Sequence, residues 1–203
     1  GDAHVSEALI RVRNLRVVRE ERPICVVDSL DVASGDQLLL QGPNGSGKTT
    51  LLRVLAGLEQ DFDGHCDVQA PTIKRVYVHQ SPYMLRGTVL DNILMGLRGN
   101  GVPRREQPAQ ARELVDQMGL GSRLMSSATR LSGGEQRRVA IVRALAAAPD
   151  LLLLDEPFAD LDEGGVDTVR QLLAARPQIT VVVAAPGEIS LGEAGKVHRL
   201  GEP

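Results

Sequence analysis

The run Gly42-Pro43-Asn44-Gly45-Ser46-Gly47-Lys48-Thr49 constrains this chain more than any other stretch. A short apolar strand, Gln37–Gln41, leads straight into it. Lys48–Gly57 then reads as a helix, with Leu51, Leu52, Val54 and Leu55 on its packing stripe and Gly57 closing it. Strand, glycine loop and helix form the setting in which a G-x-x-x-x-G-K-[ST] pattern cradles phosphate. Glycines at 42, 45 and 47 let successive N–H groups converge on phosphate oxygens, and the helix N-terminus adds its dipole. Lys48 would reach the β- and γ-phosphates, and Thr49 would offer a hydroxyl to Mg²⁺. The expected nucleotide contacts are Gly42, Pro43, Asn44, Gly45, Ser46, Gly47, Lys48, Thr49 and Thr50.

A second constraint lies downstream. Leu151–Leu154 is a wholly apolar run that ends in Asp155-Glu156-Pro157. It suits a buried parallel strand delivering carboxylates to a metal and a water. Asp155 would hold Mg²⁺, and Glu156 would orient or deprotonate the attacking water. Between the two motifs stands Leu131-Ser132-Gly133-Gly134-Glu135-Gln136. Ser132 caps a helix running to about Ala148. A serine and two glycines at a helix start make a second anion-binding nest.

The rest of the chain fits one α/β core with an inserted helical subdomain. Leu9–Val18 and Ile24–Val32 read as strands broken by the charged turn Arg19–Pro23, and Ile10, Val12 and Asn14 keep a period of two. Ile73–Gln80, Thr180–Ala185 and Lys196–Leu200 are further strands, and Gly165–Ala175 is a helix. Between about Ser81 and Arg130 the pattern turns helical, over Val89–Leu97 and Gln107–Gly119, with a break at Gly99–Pro103. The expected division is a core of about 7–80 and 146–203 around a subdomain of about 81–145 within one domain, 1–203. Strands alternating with helices imply a mainly parallel sheet. No apolar run approaches the ~18 residues that cross a bilayer, and the first residues show no secretory pattern. The formal charge of -3 argues against a protein that coats DNA. Cys25 and Cys66 lack metal-ligand spacing and read as reduced thiols.

Together, Gly42–Thr49, Leu131–Gln136 and Leu151–Pro157 resemble the ATP-binding-cassette (ABC) family, over roughly Leu9 to Leu200. The resemblance implies a P-loop NTPase core, an N-terminal antiparallel β region and the inserted helical subdomain, with ATP and Mg²⁺ as cofactors. It gives Gln80 a place at the metal and the lytic water. It implies a head-to-tail dimer in which Ser132, Gly133 and Gly134 of one subunit cover the ATP held by the other. Asp162, in Phe158-Ala159-Asp160-Leu161-Asp162, takes the place of the family's subunit-crossing aspartate. The segment Gln80–Ile93 is similar to the one that receives a coupling helix from a membrane subunit, through Tyr83, Met84 and Leu85. Its Arg-Gly-Thr-Val…Asn-Ile wording looks more like exporter-type cassettes than importer-type ones. The implied protein is a slow or ordinary ATPase subunit on the cytoplasmic face of a membrane. Its implied partners are a separate permease chain and a second ATPase subunit, identical or not, and no nucleic acid.

The chain departs from that pattern in two places. The family's histidine after the acid-bearing strand contacts the γ-phosphate, and here Ala185 occupies its position. His4, His65, His79 and His198 lie elsewhere, and alternation turns His79 away from Gln80. No aromatic residue precedes Phe62, so the base would lie on Val18, Arg16 or Arg19, with weak ATP/GTP discrimination. The competing readings are a weakly hydrolysing regulatory subunit, a soluble family member acting on DNA or ribosomes, and an unrelated phosphate-loop kinase.

Overall fold

A computed structural model describes residues 8–187, 189, 191–192, 195–201 and 203. They form two compact units. One holds the described residues up to Tyr77, Asp150–Asp155 and the described residues from Pro177 on; the other holds Val78–Pro149 and Glu156–Arg176. Residues 156–176, expected in the core, group instead with the helices. No described helix is long and apolar enough to cross a membrane.

In the first unit, β1 (Ala8–Arg19) and β2 (Arg22–Ala33) pair antiparallel, and Arg19 faces Arg22. The turn is only Glu20-Glu21, with φ of 47° and 63°, so the five-residue break read from the charges shrinks to two. Left-handed backbone at both positions matches the twist of the flanking strands. A third strand, β4 (Asp63–Val68), pairs with the other side of β1, in a stretch whose sequence carries no apolar alternation. Asn14 interrupts β1 with φ 49°, and the register with β4 slips between Arg13 and Arg16. The buried face shifts phase there, from Ile10 and Val12 to Leu15 and Val17, as a bulge requires. The period of two expected to run through Asn14 therefore ends at it.

The other sheet contains β3 (Gln37–Gln41), β5 (Arg75–Val78), β6 (Leu151–Asp155), β7 (Thr180–Ala185) and β8 (Gly195–Arg199). Its order is β5-β6-β7-β3-β8, and the β6–β7, β7–β3 and β3–β8 pairs are parallel. β5 is shorter than expected: Ile73 lies in a 3-10 turn and is 90% exposed. Every residue of β6 and β7 is buried, which explains the apolar runs Leu151–Leu154 and Val181–Ala185. α1 (Lys48–Leu55) buries Leu51, Leu52, Val54 and Leu55 in one cluster with Val12, Leu15, Val27, Leu38, Leu153 and Val182. Each such side chain contributes roughly 1.5–3 kcal/mol by leaving water. Asp155, Ala185, Gln41 and Arg199 end neighbouring parallel strands. Open parallel sheets bind ligands at that edge.

The second unit contains α2 (Val89–Arg98), α3 (Gln107–Gln117), α4 (Gly133–Ala146) and α5 (Glu163–Ala174), and α2, α3 and α4 pack on one another. Thr88 caps α2 in a capping box with Asp91. Fully buried Asn92 bonds the main chain of Leu85 and Thr88 and accepts from Arg143, which also donates to the Tyr83 carbonyl. These bonds pin the 83–85 segment. Met84 is buried there, Leu85 is half-buried and Tyr83 is 73% exposed.

Candidate nucleotide site

The glycine loop belongs to the first unit and joins β3 to α1 as the sequence implies. Gly47 carries φ 91° at the cap of α1. A Cβ there would sit 2.5 Å from the Ile24 carbonyl oxygen and 2.8 Å from the Cys25 Cβ, so only glycine fits. The same contact lays the β1–β2 hairpin on the loop. Lys48, 7% exposed, folds its ammonium back over the loop, donating to the carbonyls of Gly42 at 2.6 Å and Pro43 at 2.9 Å. Ser46 is buried, Pro43, Asn44, Gly45 and Thr49 are exposed, and Gly42 and Thr50 are half-buried. Beside the loop, Gln41, Gly42, Pro43, Gly187, Arg199 and Leu200 line a cavity of about 370 Å³.

Asp155 ends β6 at 3% exposure. Its Oδ2 accepts from Thr49 Oγ1 at 2.9 Å and from the Tyr77 hydroxyl at 3.0 Å. Thr49 and Asp155 were both expected at the metal, and they touch across 106 residues of sequence. Tyr77 was not expected there. Only its place near the end of the strand before Gln80 could have hinted at it. Burial, followed by the charge of Asp155 and the bond to it, pushes the Tyr77 phenol well above its ordinary range. Ala185 is buried and pairs with Gln41. Arg19 is committed to Glu59 and Asp61, which leaves Val18 and Arg16 as exposed residues near the hairpin end. Burial pushes the Cys25 thiol up to about 11 and the Cys66 thiol up as well, so both resist ionisation. No cluster of His, Cys, Asp or Glu suited to a metal occurs among the described residues.

The remaining expected residues lie in the second unit. Gln80 Nε2 donates to Glu156 Oε2 at 3.1 Å, so the amide holds the carboxylate expected to handle water. Glu156 has φ 49°, a strained conformation for a non-glycine residue. β5 has ended by His79, so strand alternation does not apply to it; it is exposed, and its Nδ1 accepts from the Ser81 amide. Ser132 caps α4 in a capping box: its Oγ accepts from the Glu135 amide and its own amide donates to Glu135 Oε2 at 3.0 Å. That amide, with help from Arg123, holds the Glu135 carboxyl below its usual range. Gly133 and Gly134 are the first two helical residues, so the expected anion cradle is a capped helix start. Gly134 also has a packing reason: a Cβ would lie 2.6 Å from the Asp160 carbonyl oxygen. Asp162 caps α5, accepting from the Gly165 amide at 2.8 Å. Arg137, unremarked in the sequence, donates to the carbonyls of Gln80 and Glu156 and to the Asp160 carboxylate.

Known proteins resemble this chain in sequence and in fold. The aliphatic sulfonates import ATP-binding protein SsuB 3 of Nocardia farcinica is 38% identical over 162 residues, covering 80% of this chain and 63% of that protein. The sulfate/thiosulfate import ATP-binding protein CysA of Escherichia coli is 42% identical over 149 residues, covering 66% of this chain and 40% of that protein. The chain thus spans less than two thirds of either relative. A dimeric ATP-binding cassette solved in a post-hydrolysis state with ADP and phosphate superposes with a TM-score of 0.81 at 24% identity, covering 95% of this chain and 94% of that one. That likeness is one of fold. The family model described as ABC transporter matches residues 27–159. The glycine loop, the capped serine helix and the acid pair all fall inside that stretch, and by it the chain belongs to the ABC transporter family.

Proposed function

We propose that this chain binds and hydrolyses ATP to drive a transporter. It acts on the cytoplasmic face of a membrane through a separate permease chain and pairs head-to-tail with a second ATP-binding subunit. The contact that carries this reading is the 2.9 Å hydrogen bond from Thr49 to buried Asp155. A hydroxyl and a carboxylate side by side are hard oxygen donors of the kind Mg²⁺ takes. Bound by them, Mg²⁺ would neutralise charge on the β- and γ-phosphate oxygens.

The chain's own groups have separate tasks. The ammonium of Lys48 exchanges the carbonyls of Gly42 and Pro43 for phosphate oxygens. Loop amides and the start of α1 hold the remaining phosphate charge. Glu156 takes a proton from water, and the Gln80 amide keeps its carboxylate oriented. Ser132 retains its hydroxyl proton while accepting from Glu135, so it can still donate to a phosphate oxygen held by a partner subunit.

Direction and partner are proposed on other grounds. Both relatives above are named as import proteins, and import is the direction we assign. The Arg86–Ile93 wording reflects helix-start chemistry, namely the Thr88–Asp91 box and the buried Asn92, and says nothing of direction. Exposed Tyr83 and Met95 offer apolar surface to a membrane partner. The transported solute is chosen by that partner. Ala185 favours a second reading, a slowly hydrolysing regulatory subunit, because loss of one phosphate contact is worth roughly 2–4 kcal/mol in the transition state.

Purified protein should hydrolyse MgATP, and Glu156→Gln should bind it with the rate reduced by about a hundredfold or more. Lys48→Ala should abolish binding. If Glu156→Gln keeps the parental rate, the assignment is wrong.

A further inference from the structure

We infer that Arg137 is a positioning residue that locks the start of α4 to the Gln80–Glu156 pair. The inference deepens the proposed function and rests on it.

Arg137 lies on α4, five residues after Ser132, and is 7% exposed. Its Nη1 donates to the main-chain carbonyl of Gln80 at 2.7 Å and to that of Glu156 at 3.0 Å. Its Nη2 donates to Asp160 Oδ2 at 3.1 Å. The two carbonyls belong to the same residues whose side chains meet at 3.1 Å. Holding both carbonyls from one nitrogen fixes where both side chains start. Backbone geometry shows why a clamp is needed. Glu156 has φ 49° and Asp160 has φ 61°, both left-handed, and such conformations persist only when the surroundings over-determine them. Arg137 bonds to both of those residues. The planar guanidinium spreads these bonds over two nitrogens held in a fixed fork, a geometry that the single nitrogen of a lysine does not reproduce.

Stability alone does not explain the arrangement. Nε of Arg137 is buried without a hydrogen-bond partner. An orphaned donor is costly, and an apolar side chain of similar volume would avoid it. What arginine adds is mechanical continuity. Ser132 caps the same helix from which Arg137 reaches Glu156, so the phosphate-facing serine and the hydrolytic glutamate of one chain move as one piece. In a head-to-tail pair the serine serves the partner's nucleotide and the glutamate serves its own. Arg137 therefore links hydrolysis at one site to closure at the other.

The test compares Arg137→Gln, Arg137→Lys and Asp160→Asn with the parent. Fluorescent ATP-analogue binding, steady-state hydrolysis against ATP concentration and thermal melting are all measured. For both Arg137 variants we expect nucleotide binding within about twofold, kcat lower by about tenfold or more, and a flatter dependence on ATP concentration. Asp160→Asn, which keeps both carbonyl bonds, should lose less than about threefold. Arg137 variants that hydrolyse ATP within about twofold of the parent overturn the inference. So do variants that lose binding and cooperative melting together with the rate, since arginine would then be structural only. A parent protein that binds ATP without hydrolysing it would instead reject the proposed function.

Discussion

Removing one hydroxyl, in Tyr77→Phe, should weaken the protein more at neutral pH than at high pH. Tyr77 and Thr49 both donate to the same oxygen of buried Asp155. A hydrogen bond to a charged group contributes about 1.5–3 kcal/mol. Thr49 remains to satisfy that oxygen, so the expected loss at pH 7 is about 1–2 kcal/mol, or about 4 °C in Tm for a chain of this size. The pH dependence follows from the phenol, whose pKa is raised above its ordinary 10.0 by burial and by Asp155. Folded protein then keeps a proton that the unfolded chain releases. The stabilisation is complete below pH 10 and is lost as pH rises beyond it. One unit above, the full effect is about 1.4 kcal/mol. Tyr77 is only half-buried, so solvent screening reduces this to about 1 kcal/mol. Urea denaturation of both proteins from pH 7 to 11 measures it. The parent's advantage should shrink by about 1 kcal/mol across pH 10–11. A constant difference over the whole range would refute the pairing of Tyr77 with Asp155.

Other outcomes follow from single sites. Glu21 has φ 63° in a two-residue turn, so Glu21→Gly should stabilise the fold by about 0.5–1 kcal/mol in the same denaturation assay. Ala185→His should raise steady-state ATP hydrolysis by about tenfold or more. Because Ala185 is 1% exposed, the same change should lower stability by about 1–3 kcal/mol, read by melting. With Arg19 tied to Glu59 and Asp61, no arginine fork is spare to read a base at that position. Competitive displacement should therefore give ATP and GTP dissociation constants within about tenfold of each other.

The parts of the site that are legible in sequence are those made by local chemistry. Gly42–Thr49 carries its own turn geometry, Leu151–Leu154 announces burial on both faces, and Ser132 with Glu135 spells a capping box. What sequence hides is long-range or polar. β4 reads Asp-Gly-His-Cys-Asp-Val, with no apolar alternation, because none of its residues is fully buried and its pairing comes from β1. The bulge at Asn14 moves the buried positions of β1 from even to odd numbers and ends the alternation that the sequence continues through it. The reach of Tyr77 to Asp155 and of Arg137 to Gln80 and Glu156 spans 78, 57 and 19 residues. No local pattern signals such contacts. Glu163–Ala174 looks like one more helix of an alternating core, yet it groups with the helical unit.

The most direct test of ATP-driven pairing is sedimentation velocity on Glu156→Gln protein with and without MgATP. Nucleotide should convert single chains into dimers, and adding Lys48→Ala should return them to single chains. Protein that binds MgATP yet sediments as a single chain at every concentration would contradict it.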